Sequence, residues 1–150
     1  VRNALVGSDS GVFAGSSFVA VQRWRHDFER FERMPAAEQD LVIGRRRIDN
    51  EEIADAPASA HVKRTAQESF TPAAFVLRRS MPWTEGGHGG LMFVAFAASL
   101  DRFEAQLRRM LGSDDGIVDA LFQFTRPESG AYFWCPAMRQ QRLDLSPLGI

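Results

Sequence analysis

Three histidines are the first residues to weigh, because imidazole is both a common metal ligand and a proton carrier near neutral pH. His61 lies in Ser59-Ala60-His61-Val62-Lys63-Arg64, inside a polar, irregular stretch from Arg45 to Thr71. A loop of that length in a small domain is either functional or disordered. His26 ends an alternating segment, between Arg25 and Asp27, and reads as a surface residue. His88 stands among Gly86, Gly87, Gly89 and Gly90 and reads as solvent-facing in a mobile turn. None of the three has the HExxH spacing or the second histidine of a zinc site. The single cysteine, Cys135, excludes an internal disulfide framework and any multi-cysteine metal cluster. Gly7-Ser8-Asp9-Ser10-Gly11 lacks the spacing of a phosphate-binding loop, and there is no nucleophile elbow.

A lone histidine can still complete a metal site when the metal arrives with its other ligands attached. Haem is that case: the porphyrin supplies four nitrogens and the protein one axial imidazole. Such a centre using peroxide also needs a cation on the opposite side, to stabilise charge as the O–O bond breaks. Arginine suits that place because it keeps its proton and presents a rigid fork of donors.

The elements that must position these residues follow from pattern. Ser17 to Arg25 alternates, with Phe18, Ala20, Gln22 and Trp24 on one side, and predicts a strand. Asp27 caps a helix through Phe28, Phe31 and Met34. Pro35 opens a second helix, Ala36 to Ile43, which Gly44 ends. Phe75 to Arg79 is a strand, Thr84 to Gly90 a flexible turn, and Leu91 to Ala97 a strand pairing back. This last strand is apolar on both faces and should be central and fully covered. Ser99 caps a helix from Leu100 to Leu111 with an apolar stripe and Gly112 as its stop. A short helix follows at Ile117 to Phe122 with Asp119 inside it, then an aromatic strand, Ala131 to Cys135. The order predicts an α+β fold: a ferredoxin-like antiparallel sheet with helices on one face and a large insert before the hairpin.

Composition narrows the function classes. The chain has 150 residues, 45% hydrophobic and 25% charged, with a net charge of -1. That balance argues against a strongly basic nucleic-acid binder. The longest apolar runs, such as Leu91 to Ala98, fall well short of the ~20 residues of a membrane helix. The chain starts at Val1 with a polar Gly/Ser-rich stretch, without Met or a signal peptide, and reads as the middle of a longer protein.

Five runs then carry a resemblance: Val42-Ile43-Gly44-Arg45-Arg46, Ser59-Ala60-His61, Val76-Leu77-Arg78-Arg79-Ser80-Met81-Pro82, Gly90 to Phe96, and Phe124-Thr125-Arg126-Pro127-Glu128-Ser129-Gly130-Ala131-Tyr132-Phe133. Their order and spacing resemble the dye-decolourising peroxidase family, its bacterial cytoplasmic branch above all. The likeness covers about Gly15 to Met138, and it rests on several motifs in register rather than on any one of them. It implies a cytoplasmic haem-dependent peroxidase. Such an enzyme uses hydrogen peroxide to oxidise dyes, phenols or similar bulky organic reductants through a ferryl intermediate, with one haem b. By position, His61 matches the axial iron ligand. Arg78 matches the distal arginine of the R-x-[NS]-[LM]-P segment, and Ser80 its Asn/Ser position. Leu91 and Phe93 match the apolar cover of the distal haem surface. Asp119 matches the carboxylate that accepts a hydrogen bond from the axial imidazole. Arg45 matches a partner for a haem propionate. Taken singly, Arg78 reads rather as a strand-edge cation and Asp119 as a helix cap, and Leu91 and Phe93 are core in any reading; together, in register, they carry the site.

One departure matters. The family's G-x-x-D-G motif, whose Asp acts beside the arginine, is not found; in Gly7-Ser8-Asp9-Ser10-Gly11 the Asp comes one place early. The resemblance therefore implies that residues 15–138 are a haem-binding C-terminal ferredoxin-like domain, half of a duplicated α+β barrel. Residues 1–14 then form a linker from a missing N-terminal ferredoxin-like domain, and 139–150 a tail. The full-length protein is expected to be a homo-oligomer without nucleic-acid or membrane partners. Two rivals stay open: a non-catalytic haem-binding or haem-trafficking module, and an interaction domain without haem.

Overall fold

The computed structural model describes residues 2–150 and is built on one antiparallel sheet. Its strands are β1 (Ser17–His26), β2 (Leu77–Arg78), β3 (Met81–Glu85), β4 (His88–Ala97) and β5 (Thr125–Cys135). β1 and β4 are central, β5 forms one edge, and β2 and β3 share the other. With α1 (Phe28–Arg33) and α2 (Ala36–Ile43) after β1, and α4 (Leu100–Met110) between β4 and β5, this is the expected ferredoxin-like α+β plan. The long loop of the insert holds one helical turn, α3 (His61–Arg64). A small hairpin, β6 (Met138–Arg139) and β7 (Arg142–Leu143), follows β5.

Cross-strand register decides what each face carries. Ala20 pairs with Ala95, Gln22 with Phe93 and Trp24 with Leu91. Residues two apart share a face, so these side chains stand together, and Phe103 of α4 packs on them. The other face carries Val19, Val21, Val94, Phe96 and Phe133. It differs from the fully covered strand expected at Leu91–Ala97. Met92, Val94 and Phe96 are only half-buried, and Phe133 is 54% exposed. The cause is that the helices pack on the first face alone, while residues 2–16 fold back only over one end. Ser17 Oγ donates to the Ala4 carbonyl at 2.7 Å, and the Val6 amide donates to the Ser16 carbonyl.

Several element boundaries also differ from expectation. The hairpin joins β3 to β4 through Gly86-Gly87, so His88, Gly89 and Gly90 are strand residues and not a mobile turn. Gly90 is needed there: a Cβ would lie 1.8 Å from the Trp24 carbonyl oxygen of the neighbouring strand. The short helix expected at Ile117–Phe122 is a 3-10 turn, Ala120–Gln123. Its approach is bound elsewhere: the Asp119 amide donates to the Met110 carbonyl and the Ala120 amide to the Ser59 carbonyl. Ser99 precedes α4 without making a side-chain cap.

Gly44 joins the two halves of the helical layer. It ends α2 in the left-handed region at φ 86°, and an added Cβ would lie 2.4 Å from Val62 Cγ2 and 3.1 Å from Ala60 Cβ. Left-handed backbone costs about 1–2 kcal/mol for other residues and overpacking about 1–3 more. Gly44→Ala is therefore expected to lower unfolding free energy by about 3 kcal/mol, seen as a lower denaturant midpoint at unchanged slope.

Candidate functional site

Two separate clusters of buried apolar side chains stand on either side of the site. One joins Ala20, Val76, Ala95, Ala97 and Phe103; the other joins Val42, Ala120 and Phe124. A cavity of about 270 Å³ lies between them, open on one side. Phe93, Phe103 and Leu107 face it from the first cluster, and Ile43, Leu121 and Phe124 from the second. At ~24 cal/mol per Å³ an enclosed void of this size would cost at most about 6 kcal/mol. That compares with a total stability of about 5–15 kcal/mol for a typical domain. A space that large between apolar walls is a place for a ligand, not a packing fault.

His61 opens α3 and lines the cavity, its side chain 24% exposed. Its Nδ1 lies 2.8 Å from Asp119 Oδ2, and the Asp119 side chain is wholly buried. Asp119 Oδ1 meanwhile accepts the Leu121 amide at 2.8 Å as the cap of the 3-10 turn. Both carboxylate oxygens are thus committed, and the acceptor at Oδ2 draws the imidazole proton onto Nδ1. Nε2 is left with a free lone pair, the form in which imidazole binds a metal. Arg64 steadies this arrangement. Its side chain is only 5% exposed; it makes two bonds to Asp115, at 2.7 and 2.8 Å, and it also caps the Arg109 carbonyl at the end of α4.

The sheet supplies the opposite wall. Leu91 and Phe93 line it, as expected. Arg78 lines it too, from the β2 edge, and stays solvent-exposed, which places it at the open side. Desolvation, then repulsion from the nearby Arg45 guanidinium, holds its pKa below the usual arginine value. Arg45 does not line the cavity; it donates to the Asn50 carbonyl at 2.9 Å and pairs with Glu52 at 3.5 Å. Ser80 is also outside, at the break between β2 and β3, where its Oγ accepts the Val94 amide at 3.4 Å. The reading of His26 as a surface residue is overturned: it is half-buried in the cavity wall, 2.6 Å from Thr125 Oγ1. The alternation that places Gln22 and Trp24 on this face, carried one step further, would have found it.

Fold and site together define a ferredoxin-like α+β domain that aims one carboxylate-bound imidazole across an apolar cavity toward an arginine. The chain belongs to the Dyp-type peroxidase family, whose C-terminal family profile matches residues 1–140. It is 31% identical over 144 residues to a dye-decolorizing peroxidase of Mycobacterium tuberculosis, covering 92% of this chain and 43% of that protein. Among solved structures, a dye-decolorizing protein from V. cholerae aligns with a TM-score of 0.78 at 37% identity, over 90% of this chain and 46% of the other. A DypB variant from Rhodococcus jostii RHA1 in complex with haem aligns at 0.81 and 29% identity, over 89% and 45%. The chain thus spans less than half the length of the relatives it matches. Among the described residues no helix is long and apolar enough to cross a membrane.

Proposed function

We propose that this chain is the haem-holding half of a peroxidase that consumes hydrogen peroxide and oxidises bulky organic reductants, dyes and phenols among them. The observation that carries the reading is the His61–Asp119 pair facing an apolar cavity. The residues fit one haem b. His61 Nε2 would bind the iron, Leu91 and Phe93 would cover the ring from the sheet, and the Arg45 and Arg78 cations lie close enough to repel each other and would welcome an anionic propionate. When bound, the haem supplies the redox centre for peroxide reduction.

The residues of the chain then do three things. Asp119 holds the His61 proton on Nδ1 and adds anionic character to the ring. Apolar walls exclude water and strengthen every charge inside. Arg78, on the wall opposite His61, stabilises negative charge that develops on peroxide oxygen. Ser80 does not touch this arginine's head group; its Oγ accepts the Val94 amide at the strand break that follows Arg78. Residues 15–138 form the haem domain in this reading. The half-exposed sheet face of Val21, Val94 and Phe96 is where a second ferredoxin-like half would pack. Without it, and without a G-x-x-D-G acid, residues 1–150 alone are expected to take up haem weakly and turn over poorly. With one cysteine and no disulfide, the chain suits a reducing cytoplasm.

Titration with haemin tests the reading: a Soret band shifted to the histidine-ligated position supports it, and its absence at saturating haemin removes it. Arg78→Ala separates a peroxidase from a haem carrier. The peroxidase reading expects the Soret band to persist while peroxide turnover falls about 10²–10³-fold, as for loss of one charge-stabilising donor. A carrier would be indifferent.

A further inference from the structure

Outside the cavity, a second groove of about 500 Å³ opens at the end of the sheet, where β1 gives way to α1. That volume is in the range of a site for a small organic molecule. Three arginines line it, each from a different element: Arg25 on β1, Arg30 on α1 and Arg126 on β5. Arg25 and Arg126 are direct cross-strand partners, so two like charges stand side by side on one face. Such a pair opposes folding, and an anion between the two would relieve it. The carboxylates nearby are already taken. Asp27 Oδ1 accepts the Arg30 amide at 2.9 Å, and Glu29 pairs at 3.0 Å with Arg33, which does not line the groove. Glu128 lies 3.3 Å from Arg23 and reaches Arg25 only at 3.8 Å. His88 Nδ1 accepts from Arg25 Nη2 at 2.9 Å, which steadies that guanidinium without neutralising it.

The groove is aromatic as well as basic. Phe28, Phe122 and Phe124 line it, and Phe28 is 50% exposed. Gly89 seats the Phe28 ring, since a Cβ there would lie 3.0 Å from Phe28 Cε2. Edge-on packing against His26, at 5.6 Å and 89°, fixes its plane. A fixed, half-exposed ring beside guanidinium groups suits a ligand with an aromatic body and an anionic head. The guanidinium fork matches the paired oxygens of such a head. Position gives that ligand a use: His26, Phe124 and Thr125 line both the groove and the cavity, so one layer of side chains parts them.

We propose that this groove is the docking site for aromatic anions, aryl sulfonates and aryl carboxylates, among the bulky reductants. The aromatic body rests on Phe28 and the anionic head lies among Arg25, Arg30 and Arg126. The inference rests on the peroxidase reading above, and gives its substrates a charge class and a place. A reductant held there yields one electron, across the shared layer, to the centre that peroxide has oxidised, and any phenolic proton to water in the open groove.

The probe is 2-naphthalenesulfonate. In the haem-free chain it is expected to shift the amide NMR signals of Gly87, Gly89, Gln123 and Arg126. Arg126→Gln and Arg30→Gln should each weaken its binding about fivefold, the upper worth of an exposed ion pair. Arg126→Lys should keep most of the affinity. Phe28→Leu should weaken binding about threefold, as for loss of one aromatic contact. Arg108→Gln, on α4 and away from the groove, should match the parent. Arg126→Gln should not lower the denaturant midpoint, since it relieves a like-charge pair, so the loss is of ligand contact and not of fold. With saturating haemin and peroxide, the same variant should raise the KM of a sulfonated dye about fivefold at unchanged kcat, and leave the KM of a neutral phenol alone. Equal affinity for the probe in parent and Arg126→Gln, shifts confined to Leu91 and Phe93 in the cavity, or the same shifts from sulfate at the same concentrations overturns the proposal and leaves the haem reading intact. A missing Soret band in the parent removes both.

Discussion

Replacing His61 by alanine is expected to abolish stable haem uptake while leaving the domain folded. No second imidazole can take over the position. His26 is on the opposite wall with Nδ1 bonded to Thr125, and His88 lies outside the cavity against Arg25, 2.9 Å from its guanidinium. Loss of partners that merely support a metal ligand typically weakens binding 10–100-fold, so loss of the ligand itself should exceed about 100-fold. The fold has less at stake, because the His61 ring is partly exposed and belongs to no apolar cluster. What remains is Asp119 with Oδ2 unpaired, worth about 1–3 kcal/mol. Haemin titration followed by the Soret band reads the first effect and a denaturant midpoint the second. Added free imidazole should enter the vacated space and restore the band. Unchanged haem affinity in His61→Ala would falsify the assignment of the axial ligand.

How much of this was open to reading in the sequence varies with the kind of signal. Helix α2 was legible at both ends, because Pro35 fixes its own φ and Gly44 admits the left-handed backbone that other residues avoid. The strand containing Gly89 and Gly90 was not, because a glycine run signals a turn whether or not the backbone turns there. At Gly90 the residue instead answers to the Trp24 carbonyl across the sheet, a long-range contact that no local pattern records. Asp119 shows the same limit. Its own amide and that of Ala120 look helical in sequence, yet they are bound by Met110 and Ser59, which lie far apart in the chain. His61 stood in an irregular loop, and only the register of five separate motifs singled it out. What brings it to the cavity is Gly44, where the chain passes within contact of Ala60 and Val62, together with Arg64 tied to the end of α4. The cavity was illegible for a different reason: Leu91, Phe93 and Phe103 have the same pattern whether they fill a core or line a void.

Asp119→Asn provides the sharpest test of the pair, because it changes little in shape and reverses the direction of one hydrogen bond. The carboxamide oxygen it introduces can still accept the Leu121 amide, so the 3-10 turn keeps its cap. The carboxamide nitrogen then faces His61 Nδ1, and an amide nitrogen can only donate. The imidazole must respond by placing its lone pair on Nδ1 and its proton on Nε2. A protonated Nε2 cannot bind iron. The variant should therefore lose roughly 10–100-fold in haem affinity, the range for losing a carboxylate partner, with a far smaller loss of stability than Asp119→Ala. In the alanine variant both His61 Nδ1 and the Leu121 amide lose their partner, at about 1–3 kcal/mol each. Haem that does bind to Asp119→Asn should have a higher reduction potential, since the ring no longer leans toward imidazolate and stabilises oxidised iron less. If instead the potential and the affinity match the parent, Asp119 serves only as a cap for its turn. The stability of the two variants, measured alongside, separates that outcome from a general loss of fold.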